Sequence, residues 1–334
     1  MHSELTAVKH PRIGEKKTLV SIVIVNYNGL RFLPACLDSL ASAFTRYDKE
    51  IIVVDNASSD GSQQWLRERK DVVYIESETN TGFTGGNNLG ASKARGELLL
   101  FINNDTLVPG SLDALLDALQ QPTVGISACR LRYGDQRQQF SFGYDHTPLR
   151  LVLSWLGTEK RHWLPSVFRR IETDPKKYDT DQHNLAWVSG ACFAMRRSDW
   201  REVGGFDTRF FMYCEDVDLC VRVRQRGLKV AYTAQCTVIH FEGAGKAWIG
   251  PAALRRTVRS YQLLTQKHRG HAWAVVVSVC LGSIFLLRSL AFKMQSRRAK
   301  TEETVHQEKS AGYLGSAKLL LTSLSRASMK EGNP

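Results

Sequence analysis

The first hundred residues alternate between short apolar runs and segments with apolar residues at helical spacing. The apolar runs are rich in β-branched residues and predict buried strands at 18–25, 50–54, 72–76 and 98–102. Helices are predicted between and after them at 31–43, 63–69 and 91–95. Strands that alternate with helices are joined by right-handed crossovers, so the pattern predicts an α/β fold with a mostly parallel, Rossmann-like sheet flanked by helices.

Polar residues and glycines follow each predicted strand. The strand ends lead into NYNG at 26–29, DNASSDGS at 55–62, NTGFTGGNNLG at 80–90 and NND at 103–105. Parallel sheets bind ligands at the carboxyl ends of their strands, and glycines permit a close approach of the backbone. No GxGxxG follows the first strand and the glycine-rich loop is not a P-loop, which disfavours a nicotinamide enzyme and a P-loop nucleotidase.

Two acids at these strand ends are candidate ligand-binding residues. Asp55 is suited to accept a hydrogen bond from a nucleobase or ribose, and an aspartate at this position is equally able to cap the following turn. Asp105 follows the neutral amides Asn103 and Asn104. This oxygen-rich group suits Mg²⁺ or Mn²⁺ with open positions for phosphate oxygens.

A second group of acids lies in the segment 204–227, which reads GGFDTRFFMYCEDVDLCVRVRQRG. Glu215, Asp216 and Asp218 follow an aromatic run and open a predicted helix, whose first N–H groups favour anions and can orient a carboxylate. Acids are also common in a first helical turn without any catalytic role. His240 follows a further predicted strand, CTVI, where a lone histidine is commonly a structural hydrogen-bonding residue.

The segment 121–186 is less regular and more basic than its neighbours. Three aromatic residues lie there among arginines and lysines, namely Trp155, Trp163 and Tyr178. This composition suits an acceptor groove for sugars and lipid diphosphates, and it equally suits a solvated loop. An apolar strand is predicted next, at 187–195. Its small residues leave space beside the strand: Ser189, Gly190 and Ala191.

The formal net charge of +12 suits nucleic acid, an anionic membrane surface or phosphorylated substrates. No RNA-binding signature or regular zinc spacing is present, so we expect no nucleic-acid partner. A basic helical segment at 255–269 precedes the apolar run 272–287, which has cations on both sides. These features predict peripheral or monotopic attachment to an anionic membrane surface; a spanning helix, which snorkelling by Arg288 would extend, and a helix buried by core packing or an oligomer contact are the alternatives.

The ends of the chain and the cysteines indicate the compartment. Seven cysteines lie mostly among apolar neighbours without CxxC pairs, which predicts reduced thiols. The polar segment 1–17 lacks the apolar core of a signal peptide, so the catalytic part is expected to face the cytosol. The tail 293–334 is polar and basic, with a short amphipathic helix predicted at 313–324.

The chain resembles a family-2 glycosyltransferase of the GT-A fold, and within that family the bacterial rhamnosyltransferase-like branch. Six ordered motifs carry the resemblance: SIVIVNYNG, IIVVDNASSDGS, NTGFTGGNNLG, LLLFINNDT, VSGACFAMRR and GGFDTRFFMYCEDVDLCVRVRQRG. They cover about 18–245. The resemblance implies a nucleotide-diphospho-sugar donor and a divalent cation, Mn²⁺ or Mg²⁺, as cofactor.

The resemblance also implies residues that contact the donor. The candidates are Asn26, Asn28, Asp55, Asn87, Asn88, Asn103, Asn104, Gly190 and Ala191. Among them, Asp55 is expected to contact the base, and Asn87 and Asn88 to lie near the nucleotide or diphosphate. Asn103 stands where the Asp-x-Asp motif of relatives has its first acid.

Metal binding and catalysis are implied for four further residues. Asp105 and His240 are the implied metal ligands, because imidazole and carboxylate form an acceptable set for Mn²⁺. Asp216 is the implied catalytic base and Glu215 the supporting acid. In an inverting transfer the base removes the proton of the acceptor hydroxyl while the cation offsets charge on the leaving diphosphate, so no covalent nucleophile is needed.

These inferences predict an inverting glycosyltransferase that transfers a sugar, L-rhamnose first, to a glycan or lipid-linked acceptor on the cytoplasmic face of the inner membrane. A sugar nucleotidyltransferase and a non-catalytic membrane-associated scaffold are the alternatives. The expected organisation is a tail at 1–17, a nucleotide-sugar half at 18–120, an acceptor and catalytic half at 121–250, a membrane segment at 251–292 and a tail at 293–334.

Overall fold

We describe the protein from a computed structural model, which covers residues 17–158, 163–241, 250–296 and 303–322. Eleven strands are present in this part of the chain. They are β1 (Leu19–Asn26), β2 (Asp48–Asp55), β3 (Val73–Glu76), β4 (Leu98–Ile102), β5 (Thr106–Leu107), β6 (Val124–Tyr133), β7 (Gln138–Gln139), β8 (Phe142–Gly143), β9 (Trp187–Val188), β10 (Cys192–Arg196) and β11 (Lys229–His240).

Ten α-helices accompany these strands in the described ranges. They are α1 (Leu33–Ser39), α2 (Ser62–Arg67), α3 (Gly82–Lys93), α4 (Asp113–Asp117), α5 (Pro148–Ser154), α6 (Arg197–Val203), α7 (Glu215–Gln225), α8 (Gly250–Arg269), α9 (His271–Ser296) and α10 (Glu303–Thr322). Short 3-10 helices lie at Ala118–Gln120, Ser166–Phe168 and Pro175–Asp179.

The main sheet has the strand order β3-β2-β1-β4-β10-β6-β11-β5, with β7 paired to β6. Its first four strands are parallel to one another, whereas β10 runs antiparallel to both β4 and β6. Alternate residues of β4 point to opposite faces: Leu99 and Phe101 join one hydrophobic cluster, and Leu98 and Leu100 join the other. This confirms the predicted α/β fold with a mostly parallel sheet flanked by helices.

Register brings distant strand ends together. Asn26 is paired with Asp55 at the ends of β1 and β2. His240, the last residue of β11, is paired with Thr106 in the antiparallel strand β5. The strand ends that carry the candidate residues therefore meet at one edge of the sheet.

The glycine-rich segment is the main local difference from the prediction. It is not a loop before a helix at 91–95, because α3 already begins at Gly82. A Cβ on Gly86 would lie 2.7 Å from a methyl carbon of Val25, and one on Gly90 would lie 2.5 Å from a methyl carbon of Val23. These glycines allow the helix to pack closely on β1, so their role here is packing.

Two other predicted elements are shorter or interrupted. The helix predicted at 31–43 is limited to Leu33–Ser39. The strand predicted at 187–195 is divided into β9, which pairs with β8 in a separate two-stranded sheet, and β10, which belongs to the main sheet. The interruption falls at 189–191 and exposes backbone groups that form part of the candidate site.

The irregular segment after β6 is largely folded. Tyr178 is fully buried and its ring stacks on Phe142 with centroids 4.1 Å apart, so it belongs to the core and not to an acceptor groove. Trp155 packs edge-to-face against Phe285 of α9 at 4.8 Å. Trp163 is 70% exposed and agrees with the solvated alternative.

The C-terminal helices pack against the rest of the molecule. Gln262 of α8 donates a hydrogen bond to the Ser278 hydroxyl of α9 at 2.7 Å, both side chains being buried. Arg288 donates to the Trp155 carbonyl and, at 3.1 Å, to the Tyr313 hydroxyl of α10. Snorkelling of Arg288, the condition for extending the apolar run to a span, does not agree with these contacts, because its guanidinium is bound within the protein.

One helix of the described residues, α9, has the length and composition to cross a membrane. Buried core helices meet the same criterion, so this finding alone is weak support for a span. The helix predicted at 313–324 is part of α10, which begins earlier, at Glu303. Residues 1–16 of the tail predicted at 1–17, and the segments 159–162, 242–249, 297–302 and 323–334, lie outside the described residues.

Candidate active site at the carboxyl edge of the sheet

Asp55 is at the centre of a hydrogen-bonded cluster formed by the first two strand ends. Its side chain is fully buried and accepts hydrogen bonds from Asn26 Nδ2 at 2.9 Å, the Ser58 N–H at 2.8 Å and Gln63 Nε2 at 3.2 Å. Asn104 Nδ2 donates to Asn26 Oδ1 at 2.8 Å and so adds the fourth strand end. The predicted residues Asn26, Asp55 and Asn104 are thus brought together, while Ser58 and Gln63 were missed.

Asn28 connects the same two loops on their exposed side. Its backbone has a positive φ of 51°, its N–H donates to the Ser58 hydroxyl at 2.9 Å, and its Oδ1 accepts from the Ser59 N–H at 2.7 Å. The neighbouring Gly29 has no room for a side chain, since a Cβ there would lie 1.9 Å from Asn104 Nδ2. The loops after β1 and β2 therefore form one tightly held unit.

Asn87 and Asn88 lie inside α3. Asn87 is buried and its Nδ2 donates to the Phe83 carbonyl at 2.9 Å, one turn earlier in the helix. Asn88 Nδ2 donates to the Phe206 carbonyl at 2.8 Å, and its Oδ1 accepts from the Phe206 N–H at 2.9 Å. Asn88 thus holds the segment before α7 against α3, a structural role that the sequence did not indicate; its contact with a nucleotide stays a prediction.

Asp105 and His240 are neighbours at the end of β11. His240 Nε2 lies 3.3 Å from Asp105 Oδ1 and 3.1 Å from Asn103 Nδ2. On the opposite side of the ring, His240 Nδ1 lies 3.1 Å from Gln139 Oε1. Because an amide oxygen only accepts, Gln139 favours the tautomer with hydrogen on Nδ1, which leaves the Nε2 lone pair directed towards Asp105.

This pair has the chemistry of a partial metal site. A carboxylate and an imidazole nitrogen face each other, and an oxygen acceptor on the far nitrogen of a ligating histidine is the usual second contact in such sites. Within the described residues, no group of three or more histidine, cysteine or acidic side chains could hold a metal. A divalent cation held by Asp105 and His240 would need water and diphosphate oxygens as its other ligands.

Glu215 and Asp216 are the first two residues of α7. The residues before them, Tyr213 and Cys214, have positive φ values of 74° and 64°, an uncommon conformation for residues with a Cβ. Asp216 accepts hydrogen bonds from the Val217 N–H at 2.8 Å and the Gly190 N–H at 3.1 Å. The tight turn and these two donors fix the direction of the Asp216 carboxylate.

The two acids have different environments. Glu215 is only 7% exposed and its Oε2 has no hydrogen-bond partner in the described structure, whereas Asp216 is partly exposed. Burial, followed by the charge of Asp216, raises the pKa of Glu215 well above its usual value. Burial also raises the pKa of Asp216, but the two N–H donors and the charge of Arg170 oppose this change. Both pKa values are raised, that of Glu215 more strongly, so Glu215 is the acid of the pair that keeps its proton to the higher pH.

The Gly190–Ala191 backbone lies between the Glu215–Asp216 pair and the Asp105–His240 pair. Gly190 donates to Asp216, and the Ala191 carbonyl accepts from the Asn103 N–H at 3.0 Å. Asn103 in turn contacts His240. The interruption between β9 and β10 therefore joins the two predicted groups through backbone hydrogen bonds.

Asp218 has more partners than a first-turn acid needs. It is fully buried, and its carboxylate lies 2.7 Å from His268 Nε2, 2.8 Å from Lys267 Nζ and 2.8 Å from Arg222 Nε. Burial alone raises its pKa, but the hydrogen bond from His268 and the charges of Arg222 and Lys267 outweigh burial and lower it. Asp218 lies in the first helical turn of α7, as the sequence predicted, and in addition it joins α7 to α8.

All seven cysteines are free thiols, and six of them are buried. Burial is the largest cause that raises the pKa of Cys214 and Cys220, so these thiols near the acid pair are held in the protonated form. They act as small core residues.

The sequence matches the family described as "Glycosyl transferase family 2" over residues 21–204. "O-antigen biosynthesis protein RfbC" of Myxococcus xanthus is 32% identical over 265 residues, which are 74% of this chain and 20% of that protein. "N-acetylglucosaminyl-diphospho-decaprenol L-rhamnosyltransferase" of Mycobacterium tuberculosis is 28% identical over 315 residues, which are 86% of this chain and 99% of that protein.

A solved structure shares the fold. The mannosyltransferase PcManGT from Pyrobaculum calidifontis in complex with GDP-Man and Mn²⁺ aligns with a TM-score of 0.52 and 18% identity, over 91% of this chain and 87% of that chain. The shared architecture is the GT-A fold, which confirms the expected fold class.

Proposed function

The chain belongs to glycosyl transferase family 2, and we propose that it is an inverting, metal-dependent enzyme that transfers a sugar to a lipid-linked glycan acceptor. The name of the M. tuberculosis relative supports L-rhamnose as the first candidate sugar and a diphospho-polyprenol as the acceptor carrier. Deoxythymidine-diphospho-rhamnose is therefore the first donor to test, followed by uridine-diphosphate hexoses.

The geometry of Asp216 carries the mechanistic part of this proposal. Its carboxylate is partly exposed and oriented by the N–H groups of Gly190 and Val217. In a direct displacement, Asp216 accepts the proton of the acceptor hydroxyl as that oxygen attacks the anomeric carbon. Burial and the charge of Asp216 raise the pKa of Glu215 more than burial raises that of Asp216, so Asp216 is the acid of the pair that ionises first.

Asp105 and His240 would hold the divalent cation, and the cation when bound offsets negative charge on the leaving diphosphate. Gln139 would keep the His240 ring in the orientation and tautomer that ligation needs. The Asn103 amide lies beside both groups and so is a candidate for contact with the donor.

We assign donor binding to the half 18–120, where Asn26, Asp55 and Asn104 form a buried polar cluster at the strand ends. The half 121–250 contributes the acid pair and the acceptor side. Asp55 accepts several hydrogen bonds within the protein. Only the edge of its carboxylate that these bonds leave open is therefore available to a nucleobase. Its stronger effect is to position the loops after β1 and β2.

Attachment to the cytoplasmic face of a membrane is proposed through α9. One face of this helix is buried against α8 and α10, but the opposite face is also apolar and is exposed. Its exposed apolar residues are Trp273, Val276, Val279, Leu286, Leu287, Leu290 and Met294. A surface helix normally presents polar residues to water, so this face fits the apolar layer of a membrane, with the protein attached on one side.

A donor panel assayed for nucleotide diphosphate release, with and without Mn²⁺, tests the function. The proposal predicts release that requires acceptor and cation and that is abolished in Asp216→Asn but not in Asp38→Asn, an exposed residue of α1. Release of pyrophosphate instead would indicate a sugar nucleotidyltransferase. Binding of donor without turnover on every acceptor offered would favour a non-catalytic scaffold.

A further inference from the structure

A cavity of about 330 Å³ lies between the segment before α7 and the first C-terminal helix. It is lined by Arg209, Phe211 and Met212 from that segment and by Arg256, Arg259 and Leu263 from α8. The cavity therefore combines three guanidinium groups with an apolar wall. None of its lining residues belongs to the predicted donor or metal groups.

The cavity is held firmly beside the catalytic acids. Ser260 of α8 donates a hydrogen bond to the Met212 carbonyl at 3.0 Å, so the helix is tied to the segment that leads into Glu215. The Phe211 carbonyl accepts from the Phe83 N–H at 2.9 Å, which fixes the other side of the wall to α3. A ligand in this cavity would thus lie next to the turn that presents the acid pair.

Two of the three arginines that line the cavity have no ion-pair partner among the residues that the structure describes. Arg256 and Arg259 are exposed, and within the described ranges neither forms an ion pair. The Arg256 guanidinium stacks over the Phe211 ring at 5.0 Å, which holds it at the cavity wall. Arg209 forms an ion pair with Asp207 at 2.7 Å, so the net positive charge of the cavity comes from Arg256 and Arg259.

We propose that this cavity binds the diphosphate group of the lipid-linked acceptor. Planar guanidinium groups match phosphate oxygens in pairs, and Phe211, Met212 and Leu263 offer an apolar surface to the first part of the lipid chain. This assignment rests on the proposed function for the nature of the acceptor. Binding of the diphosphate in this cavity would orient the acceptor so that its hydroxyl reaches Asp216.

Direct binding of farnesyl diphosphate tests the assignment without sugar transfer. Affinity is measured by titration calorimetry for the full-length protein in detergent, with a chelator present so that no divalent cation connects the diphosphate to Asp105 and His240. Farnesol, which lacks the diphosphate, is the ligand control. Arg255→Gln is the matched protein control. Arg255 is exposed on the same helix, but its guanidinium lies near α10, with Nη1 3.6 Å from the position that a Cβ on Gly315 would take.

We expect Arg256→Gln and Arg259→Gln each to weaken farnesyl diphosphate binding about 10-fold, and the double variant more, with Arg255→Gln close to wild type. Farnesol should bind much more weakly than farnesyl diphosphate to the wild type. Equal losses in all three variants would mean a general effect of surface charge and would overturn the assignment. Unchanged affinity in the double variant would overturn it as well.

Two further measurements separate the possible sources of the phosphate. In steady-state kinetics, the double variant should raise the KM for a lipid diphosphate acceptor about 10-fold and leave the KM for the donor unchanged. Loss of binding to phosphatidylglycerol vesicles with unchanged affinity for farnesyl diphosphate would show a headgroup site and reject the proposal. If no donor is turned over but the calorimetric pattern holds, the function fails while the diphosphate site stands.

Discussion

The Gly190 N–H donates a hydrogen bond to the Asp216 carboxylate at 3.1 Å. The next carbonyl, that of Ala191, accepts from the Asn103 N–H at 3.0 Å. The segment 189–191, which separates β9 from β10, therefore positions the proposed base and connects it to the proposed metal site. Substitutions of the proposed base or of the proposed metal ligands are expected to lower turnover more than they lower the stability of the fold.

The pH dependence of turnover should identify the ionised acid. Because burial raises the pKa of Asp216, this carboxylate stays protonated to a higher pH than an ordinary aspartate. We expect kcat/KM to be lost as pH falls through that raised value, measured with saturating cation. Asp216→Asn should lower kcat by about 10²–10⁴-fold at neutral pH.

Glu215→Gln is the matched comparison. It replaces the acid whose pKa is raised more strongly by an amide and leaves Asp216 in place, so the acid limb of the profile should remain and kcat should fall much less than in Asp216→Asn. A loss in Glu215→Gln as large as in Asp216→Asn would reverse the assignment of base and supporting acid.

Gln139→Leu should weaken Mn²⁺ binding by about 10–100-fold, because the His240 ring loses the acceptor that fixes its tautomer. His240→Ala should weaken it further. Titration calorimetry with Mn²⁺ and a nucleoside diphosphate measures this without turnover. Gln120→Leu, at an exposed position, is the control. Wild-type Mn²⁺ affinity in both His240→Ala and Gln139→Leu would remove this site.

Asp218→Asn should lower the free energy of unfolding by about 3–5 kcal/mol, because partly buried basic side chains of α7 and α8 lose their common, fully buried carboxylate. The pKa of Asp218 is lowered from 3.8 in the folded protein, so its stabilisation is complete above that value and is lost as pH falls through the folded pKa. Urea unfolding at several pH values measures both effects. A difference from wild type that does not shrink in acid would contradict the ion-pair explanation.

Gly82→Ala should destabilise the contact between α3 and the segment before α7. Gly82 has a φ of 74°, and a Cβ there would lie 2.4 Å from the Phe211 carbonyl oxygen. We expect a loss of about 1–3 kcal/mol from the backbone conformation, with a further loss from the clash. Thermal unfolding compares it with Gly110→Ala, where a Cβ meets nothing within 4 Å. Equal melting temperatures for the two variants would count against this packing.

The triple variant Trp273→Ser, Leu287→Ser, Leu290→Ser should reduce partitioning onto phosphatidylglycerol vesicles by at least ~10-fold. These side chains are exposed by 52%, 68% and 58%, and burying one such side chain contributes roughly 1.5–3 kcal/mol at most. Flotation of protein with vesicles measures the change. Val73→Ser, at an exposed position of β3, is the control. Unchanged flotation of the triple variant would remove α9 as the docking face.

Local patterns were enough to predict the strands and the positions of the acids. The run 98–102 is apolar because both faces of β4 are buried, and the predicted bounds agree with the structure. The acids Asp55, Asp105 and Asp216 stand at strand or helix ends, where turn and capping preferences are visible in a few neighbouring residues. Such signals depend on neighbours in the chain and can be read directly from it.

Other features depended on contacts between distant segments. Gln139 lies in β7, and the pairing of β7 with β6 brings it to His240. Lys267 and His268 reach Asp218 because α8 packs on α7. Arg288 is apolar-flanked in sequence, yet its guanidinium is bound by Trp155 and Tyr313.

The amino-acid sequence determined the α/β class, the order of its elements and the acids available for chemistry, since these follow from short-range periodicity and residue type. The tertiary structure decided which acid of the pair remains accessible, which groups face His240 and which face of α9 is left exposed. Those properties come from burial and from hydrogen bonds between residues far apart in the chain. Their energies depend on three-dimensional distances, which no local pattern specifies.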